Sequence, residues 1–248
     1  MNRPAGANFL DLFSKPKPVM GMVHLTGSSK AEKLDIAKKE IDIMTQNGID
    51  AVIVENYFGS PADMETVLDY LVTERSRICF GVNVLDDDRA GFALARRYQA
   101  RFIQLDSVAG HLPPKDDEHF HMFISQERER TPSFLLGGVR FKYQPYLSGR
   151  TLKEDLQIAM TRCDAIVVTG DKTGEATDTG KIKQFRSILG MGFPLIIGAG
   201  LTAENGREQL YLADGGIIGS YLKDTYKDSG RVCSEHTAAF MQEVNKIR

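Results

Sequence analysis

The sequence lacks tryptophan and contains three cysteines, Cys79, Cys163 and Cys233. Because their number is odd and their spacing wide, they match neither a disulfide framework nor a zinc site, and reduced intracellular thiols are expected. No apolar run is long enough to span a bilayer, and the first residues lack the apolar core of a signal peptide. Neither charge dominates, since 31 Lys and Arg stand against 33 Asp and Glu. We therefore expect a cytoplasmic protein without a nucleic-acid partner and without membrane insertion.

The sequence also lacks a G-x-G-x-x-G after its first predicted strand, which argues against a dinucleotide-binding fold. It has instead a series of apolar runs that alternate with helical patterns. Most runs are continuously apolar, as in parallel strands that helices cover. At 248 residues the chain has the length of one (β/α)8 barrel. We predict a single TIM-barrel domain over residues 1–248 with an N-terminal arm over residues 1–17. Six strands are predicted at 19–25, 51–54, 78–85, 102–106, 133–142 and 165–168, and two more end in Gly198-Ala-Gly200 and Gly219-Ser220.

The carboxyl ends of all strands in such a barrel meet at one mouth, so polar residues at these ends are the candidates for chemistry. We predict His24, Glu55 and Lys142 as catalytic residues. Glu55 follows four apolar residues, and an unpaired buried carboxylate is costly, which favours a general base or metal ligand. His24 could be an acid/base group, a ligand or a hydrogen-bonded core histidine. Lys142 could bind phosphate, form a Schiff base or make a structural ion pair, for example with Glu55.

Other polar or glycine residues near the strand ends are predicted to contact the substrate. Asn56 could instead close its strand end by bonding local backbone, and Asn83 fits a structural role as well as a contact to a hydroxyl or phosphate oxygen. The predicted substrate contacts are Asn56, Asn83, Asp106, Thr169, Gly170, Thr173 and Gly174. No metal ligands and no cofactor are predicted. His24, Glu55 and Asp106 could hold a divalent cation, but residues so far apart in sequence define no ligand geometry.

Two consecutive strand ends near the C-terminus carry glycine. In (β/α)8 barrels the loops after the seventh and eighth strands commonly form a phosphate cradle from backbone N–H groups. We therefore predict phosphate binding by Gly198, Ala199, Gly200, Gly219 and Ser220, and a helix capped by Thr202. Two tight turns without a ligand are the alternative interpretation.

The combination of motifs resembles the BtpA/SgcQ family, from about Val19 to the last helix. The motifs are Gly21-Met-Val-His-Leu25, Gly48-Ile-Asp-Ala-Val-Ile-Val-Glu-Asn56, Gly81-Val-Asn-Val-Leu85, Asp164-Ala-Ile-Val-Val-Thr-Gly170 with Thr173-Gly174, and Asp214-Gly-Gly-Ile-Ile-Gly219 with Leu222-Lys223. The resemblance implies a TIM barrel and an enzyme of the phosphate-binding type, and one branch of the family is linked to photosystem I biogenesis. The family residues that carry over are His24, Glu55, Asn56, Asn83, Lys142, Thr169 and the glycines.

The sequence departs from the family pattern at several strand ends. Thr26-Gly27-Ser28 replaces a Pro-Leu-Pro-Gly loop, and Gln104 and Asp106 stand where Arg and Asn are common. On the fifth strand, Gly138-Val-Arg-Phe-Lys-Tyr143 keeps the lysine of the usual Asp-Val-His-Val-Lys-His. Gly198-Ala-Gly200 replaces Gly-Ser-Gly and removes a hydroxyl. The resemblance therefore indicates a divergent member.

These patterns lead to two hypotheses. The first is a phosphate-binding isomerase or lyase that uses acid–base chemistry on a phosphorylated sugar or ribose-like metabolite. The second, which the lost polar groups on the fifth strand favour, is a non-catalytic BtpA-like ligand-binding or complex-assembly factor. The expected partner is a phosphorylated small molecule. A homo-oligomer is compatible with the sequence, which does not define the oligomeric state.

Overall fold

In the computed structural model, which describes residues 6–248, eight parallel strands close into a barrel in sequence order, and a helix follows each strand. This confirms the predicted (β/α)8 fold. The strands are β1 (Val19–His24), β2 (Ala51–Glu55), β3 (Cys79–Asn83), β4 (Phe102–Ala109), β5 (Phe134–Val139), β6 (Ala165–Val168), β7 (Leu195–Ile197) and β8 (Gly215–Ile218). The helices are α1 (Lys30–Gln46), α2 (Pro61–Glu74), α3 (Asp88–Tyr98), α4 (Pro114–Glu129), α5 (Leu152–Arg162), α6 (Thr179–Leu189), α7 (Gly206–Leu212) and α8 (Ser234–Asn245).

The strand register determines which side chains face one another at the mouth. His24 pairs with Glu55, and Glu55 pairs with Asn83, along the ladder from β1 to β3. Deeper positions on the same strands carry apolar side chains such as Met22 and Ile53, which belong to the core inside the barrel. Polar residues therefore face the interior at the last position of three adjacent strands, immediately above an apolar core.

Of the six strands with predicted bounds, two differ from them by three residues at their carboxyl ends, and the other four differ by two residues or fewer at either end. β4 continues past Asp106 to Ala109, because an irregularity between Leu105 and Ala109 shifts its register against β5. A Cβ atom at Gly138 would lie 2.0 Å from the carbonyl oxygen of Asp106, so glycine is required at this close approach. β5 ends at Val139 instead of Lys142. Lys142 therefore lies in the following loop, three residues beyond the strand end where it was predicted.

A short 3₁₀ helix, Phe9–Leu12, closes the amino-terminal end of the barrel. The Phe9 ring lies 5.6 Å from that of Phe102 and 6.0 Å from that of Phe134, between centroids, in edge-to-face arrangements. Both partners begin their strands, so Phe9 fills the end of the barrel opposite the mouth. Residues 1–5 of the predicted arm lie outside the described residues. In residues 6–248, no helix has the length and apolar character needed to cross a bilayer.

Candidate active site

A cavity of about 620 Å³ opens at the carboxyl ends of the strands. It brings together most of the residues predicted from the sequence, including all three catalytic candidates. The predicted residues that line it are His24, Glu55, Asp106, Lys142, Thr173, Gly174, Gly198, Ala199, Gly200, Gly219 and Ser220. The predicted contacts Asn56, Asn83, Thr169 and Gly170 lie outside its lining.

His24 and Glu55 form a buried pair at the ends of β1 and β2. The Nε2 atom of His24 lies 3.3 Å from Oε2 of Glu55. The Nδ1 atom lies 3.2 Å from the carbonyl oxygen of Asp228, which can only accept a hydrogen bond. We therefore assign the Nδ1 proton to that bond, which directs Nε2 to the carboxylate. The ring is held from both sides in an orientation suited to proton transfer.

Asn83 joins the two interior carboxylates. Its Nδ2 group donates to Oε1 of Glu55 at 3.0 Å and to Oδ1 of Asp106 at 3.3 Å. Burial and the nearby charge of Glu55 raise the pKa of Asp106 to about 6, against the opposing effects of the Asn83 hydrogen bond and of Lys142. Asp106 therefore changes its charge close to neutral pH, as a general acid or base requires.

Lys142 is held at the mouth by two threonines. Its backbone N–H donates to Oγ1 of Thr169 at 3.0 Å, and its Nζ donates to Oγ1 of Thr173 at 3.1 Å. Among residues 6–248, no carboxylate lies within ion-pair distance of its ammonium group. The structural ion pair with Glu55, one of the alternatives from the sequence, is therefore absent from the described residues. The ammonium group is positioned for a ligand in the cavity.

Like Asn83, three further predicted substrate contacts have partners within the protein. Asn56 accepts a hydrogen bond from the backbone N–H of Leu85 at 2.7 Å and so ties the end of β2 to the loop after β3. Thr169 holds Lys142, and its carbonyl oxygen accepts from Nζ of Lys181 at 2.7 Å. Gly170 is packed against the carbonyl oxygens of residues 175 and 176. These residues act on the site through the loops that they position.

The loops after β7 and β8 present backbone to the cavity. The N–H groups of Ala199, Gly200 and Ser220 donate to no acceptor within residues 6–248. Gly200 has a φ of +70°, and a Cβ there would lie 2.0 Å from the carbonyl oxygen of Glu175. Asn205 donates to the Gly200 carbonyl at 2.8 Å and fixes the loop. Thr202 lies in the turn before α7 and is not its cap, because the helix begins at Gly206.

Several lining residues were not among the sequence-based candidates. They include Gln104 and Asp86, as well as the rings of Tyr57, Tyr143 and Tyr226. Gln104 had a detectable signal, since Phe102, Gln104 and Asp106 alternate along β4 and share its inner face. The tyrosines come from loops, where no periodicity marks them.

Tyr226 and Asp228 belong to a hairpin over residues 223–232 that covers His24. An antiparallel bridge joins Lys223 to Val232, and the fully buried Lys223 ammonium contacts both carboxylate oxygens of Glu40 at 2.8 and 2.9 Å. Burial and, after it, the hydrogen bond and the charge of Asp228 raise the pKa of Tyr57 to about 12. The Tyr57 hydroxyl group therefore stays protonated beside the His24 ring. The hairpin is thus anchored to α1 and completes the wall around the pair.

Carboxylates outnumber cations in the cavity. Glu55, Asp86, Asp106 and Glu204 face it together with Lys142 and His24. Within residues 6–248, no three His, Cys, Asp or Glu side chains lie in an arrangement that could hold a metal ion. Asn83 stands between Glu55 and Asp106 and occupies one oxygen of each, so these carboxylates do not converge freely with His24 on one point.

Comparison with known proteins relates both the chain and its fold to others. The model of the BtpA family matches residues 15–246. An uncharacterized protein of Pyrococcus abyssi is 28% identical over an alignment that covers 96% of this chain and 99% of that protein. The photosystem I biogenesis protein BtpA of Synechocystis is 25% identical over 236 residues, covering 85% and 82% of the two chains. Phosphoribosyl anthranilate isomerase from Thermus thermophilus superposes with a TM-score of 0.63 at 16% identity, covering 93% of this chain and 100% of that one.

Proposed function

The chain belongs to the BtpA family, and we propose that it is an isomerase or lyase acting on a phosphorylated sugar or ribose-like metabolite by acid–base chemistry. One observation carries this proposal: a single cavity joins the carboxylates and histidine of β1–β4 to the glycine loops after β7 and β8. A ligand that spans the cavity reaches proton-transfer groups at one end and unpaired N–H groups at the other. The likeness in fold to an enzyme of a phosphoribosyl compound is consistent with this arrangement.

Each group has a distinct role in the proposed reaction. The N–H groups of Ala199, Gly200 and Ser220 bind the phosphate oxygens. Asp106, or Glu55 paired with His24, removes a proton from the carbon next to a carbonyl group. Lys142 stabilises the negative charge that then develops on the carbonyl oxygen. In isomerisation, the hydroxyl group on that carbon gives its proton to the carbonyl oxygen, and the carbon-bound proton returns to the former carbonyl carbon. In retro-aldol cleavage, the base instead takes the proton of the hydroxyl group on the β-carbon. The carbon–carbon bond then breaks, one fragment leaves as an aldehyde or ketone, and the bonding electron pair forms the same enolate, which is protonated afterwards.

A second candidate function is a ligand-binding or assembly factor without turnover. The Synechocystis relative, a photosystem I biogenesis protein by name, supports this candidate. A binding protein needs the loops after β7 and β8 but does not need proton-transfer groups. The two functions therefore differ in whether a bound phosphosugar exchanges its carbon-bound protons.

Deuterium exchange tests proton transfer without knowledge of the final product. The protein is incubated in D₂O with ribulose 5-phosphate, ribose 5-phosphate and dihydroxyacetone phosphate, and proton NMR follows the signals next to the carbonyl carbon. We expect exchange with at least one compound. Lys142→Ala should slow the exchange by ~10²-fold or more, because the charge on the carbonyl oxygen loses its stabilising cation.

Lys172→Ala is the matched control, since Lys172 is an exposed lysine in the loop next to Lys142 and lies outside the cavity lining. The control should exchange at the wild-type rate. An unchanged rate in Lys142→Ala would contradict the assignment of Lys142. Thermal stabilisation by these compounds with no exchange in any of them would favour the binding protein over the enzyme.

A further inference from the structure

Gln104 carries an unsatisfied buried polar group that faces the cavity. The residue is 5% exposed, and its Oε1 atom has no hydrogen-bond partner among residues 6–248. It lies two residues before Asp106 on the inner face of β4 and lines the cavity. Buried carboxamides are normally paired, and this one lines the cavity, so a ligand bound there can supply the missing donor. Such a ligand group must donate a hydrogen bond.

The charges around Gln104 define this group further. On the β2–β4 side, Glu55, Asp106 and Asp86 line the cavity, and the ammonium of Lys142 reaches it from the loop after β5. A second anionic group on the ligand would be repelled here, whereas an uncharged or positively charged group with N–H donors would be stabilised. The end of the ligand away from its phosphate is therefore not anionic.

Five aromatic side chains also line the cavity. Phe141 is buried, Tyr57 and Tyr221 are half-buried, and Tyr143 and Tyr226 are exposed at the rim. Aromatic rings stack on flat ligand groups, and planar bases are favoured partners of this kind. Cavities of about 300–1,000 Å³ enclose whole drug-sized ligands, and this one, at about 620 Å³, has room for a ring beyond a sugar phosphate.

We infer that the phosphorylated ligand carries a neutral nucleobase, as a nucleoside 5′-monophosphate does, and that Gln104 is the residue that selects it. A carboxamide pairs through both its oxygen and its NH₂ group with a donor and an acceptor that lie side by side on the rigid edge of a base. The hydroxyl groups of a sugar also donate and accept hydrogen bonds, but they are not coplanar. This inference rests on the proposed phosphate-binding function of the same cavity and specifies its substrate class.

Isothermal titration calorimetry tests the inference with six probes: the 5′-monophosphates of adenosine, guanosine, cytidine and uridine, ribose 5-phosphate, and inorganic phosphate. At least one nucleotide should bind about tenfold or more tightly than ribose 5-phosphate. Gln104→Met, which is similar in size and apolar, should reduce that ratio about tenfold, because a site built to pair with a polar group loses its discrimination with that partner. The affinity for ribose 5-phosphate should stay within about threefold of the wild-type value.

Gln209→Met is the matched control. Gln209 is 2% exposed and also has an unpaired Oε1, but it lies on α7 outside the cavity lining. It should keep the wild-type ratio. Gln104→Leu replaces Gln104→Met if circular dichroism shows that the latter is unfolded. Ribose 5-phosphate binding as tightly as every nucleotide would overturn the inference and leave the proposed function standing. Absence of binding by all six probes would overturn both, and an unchanged ratio in a folded Gln104 variant would overturn the role of Gln104.

Discussion

On the β1–β4 side of the cavity the lining consists of ionisable side chains that hold one another, whereas on the β7–β8 side it consists largely of backbone. His24, Glu55 and Asn83 are neighbours in the strand ladder and form a chain of contacts. Gly200 instead lies so close to the carbonyl oxygen of Glu175 that no Cβ atom fits at this position. Conservative substitutions on the first side should therefore change the chemistry without unfolding the barrel, and those on the second should disturb the loops themselves.

Glu55→Gln, on the β1–β4 side of the cavity, should produce the largest effect. The substitution keeps the shape and an oxygen for Asn83 but removes the carboxylate that faces His24. We expect deuterium exchange to slow by ~10²–10⁴-fold, the usual contribution of a positioned acid/base group, with little change in melting temperature. Glu65→Gln, which alters a surface ion pair with Arg97, serves as the control and should keep the wild-type rate. Wild-type exchange in Glu55→Gln would remove Glu55 from the proposed reaction.

Gly200→Ala should disrupt the backbone loops on the β7–β8 side of the cavity. The added methyl group would meet a carbonyl oxygen at 2.0 Å, at a φ of +70° that disfavours alanine. We expect a loss of about 3 kcal/mol in the free energy of unfolding by urea, together with loss of phosphate binding by calorimetry. At Gly192 no atom lies within 4 Å of the added carbon, so Gly192→Ala should be nearly neutral. Equal stability of the two variants would show that the loop has no strict requirement for glycine.

Asp106→Asn tests how much the buried negative charge of Asp106 lowers the stability of the folded protein. Because the pKa of Asp106 is raised in the folded protein, the native state binds the proton more tightly than the unfolded chain. The wild type should therefore lose stability as the pH rises from about 4 to above 6. The variant should lose less stability, because it keeps only the other groups that titrate in this range, such as Asp88, whose pKa burial raises to about 7. The rise from 3.8 to about 6 corresponds to about 3 kcal/mol as an upper value. Urea unfolding at pH 4 and pH 8 measures this, and parallel curves for the two proteins would contradict the raised pKa.

Asn56→Ala should have the smallest effect. It tests whether Asn56 contacts the ligand directly or only holds the loop after β3. It removes the acceptor of the Leu85 N–H group and should lower the free energy of unfolding by about 1–2 kcal/mol. Since Asn56 does not line the cavity, the dissociation constant for ribose 5-phosphate should change less than about threefold. A large loss of affinity at unchanged stability would restore the direct contact that the sequence predicts.

The sequence was sufficient to predict the barrel, because continuous apolar runs such as Ala51–Val54 indicate strands buried on both faces. It was insufficient where a boundary depends on partners far along the chain. Asp106 does not end its strand, since the irregularity of β4 requires the close approach of Gly138. Apolar periodicity also extended β5 to Lys142, although the ladder with β6 stops earlier, at Gly138.

The roles of individual candidates were harder to predict than their positions. His24 and Glu55 meet because the register of β1 and β2 aligns their ends, and no local spacing encodes that register. Asn56 looks as suitable for a substrate as Asn83, yet their partners differ, and only the folded chain distinguishes a backbone contact from a carboxylate contact. The aromatic side chains that line the cavity were not predicted because they lie in the segments after β2, β5 and β8, where no periodicity marks them.

The ladder from His24 through Glu55 to Asn83 has a consequence for how members of this fold can change over evolution. Inserting or deleting one residue within β2 would turn Glu55 toward the helices and present Val54 or Asn56 to the cavity. Length variation is therefore confined to segments beyond the strand ends, such as the loop that carries Lys142 and the hairpin over residues 223–232. New specificities can arise in those segments by insertion, while the three ladder positions can change by substitution alone.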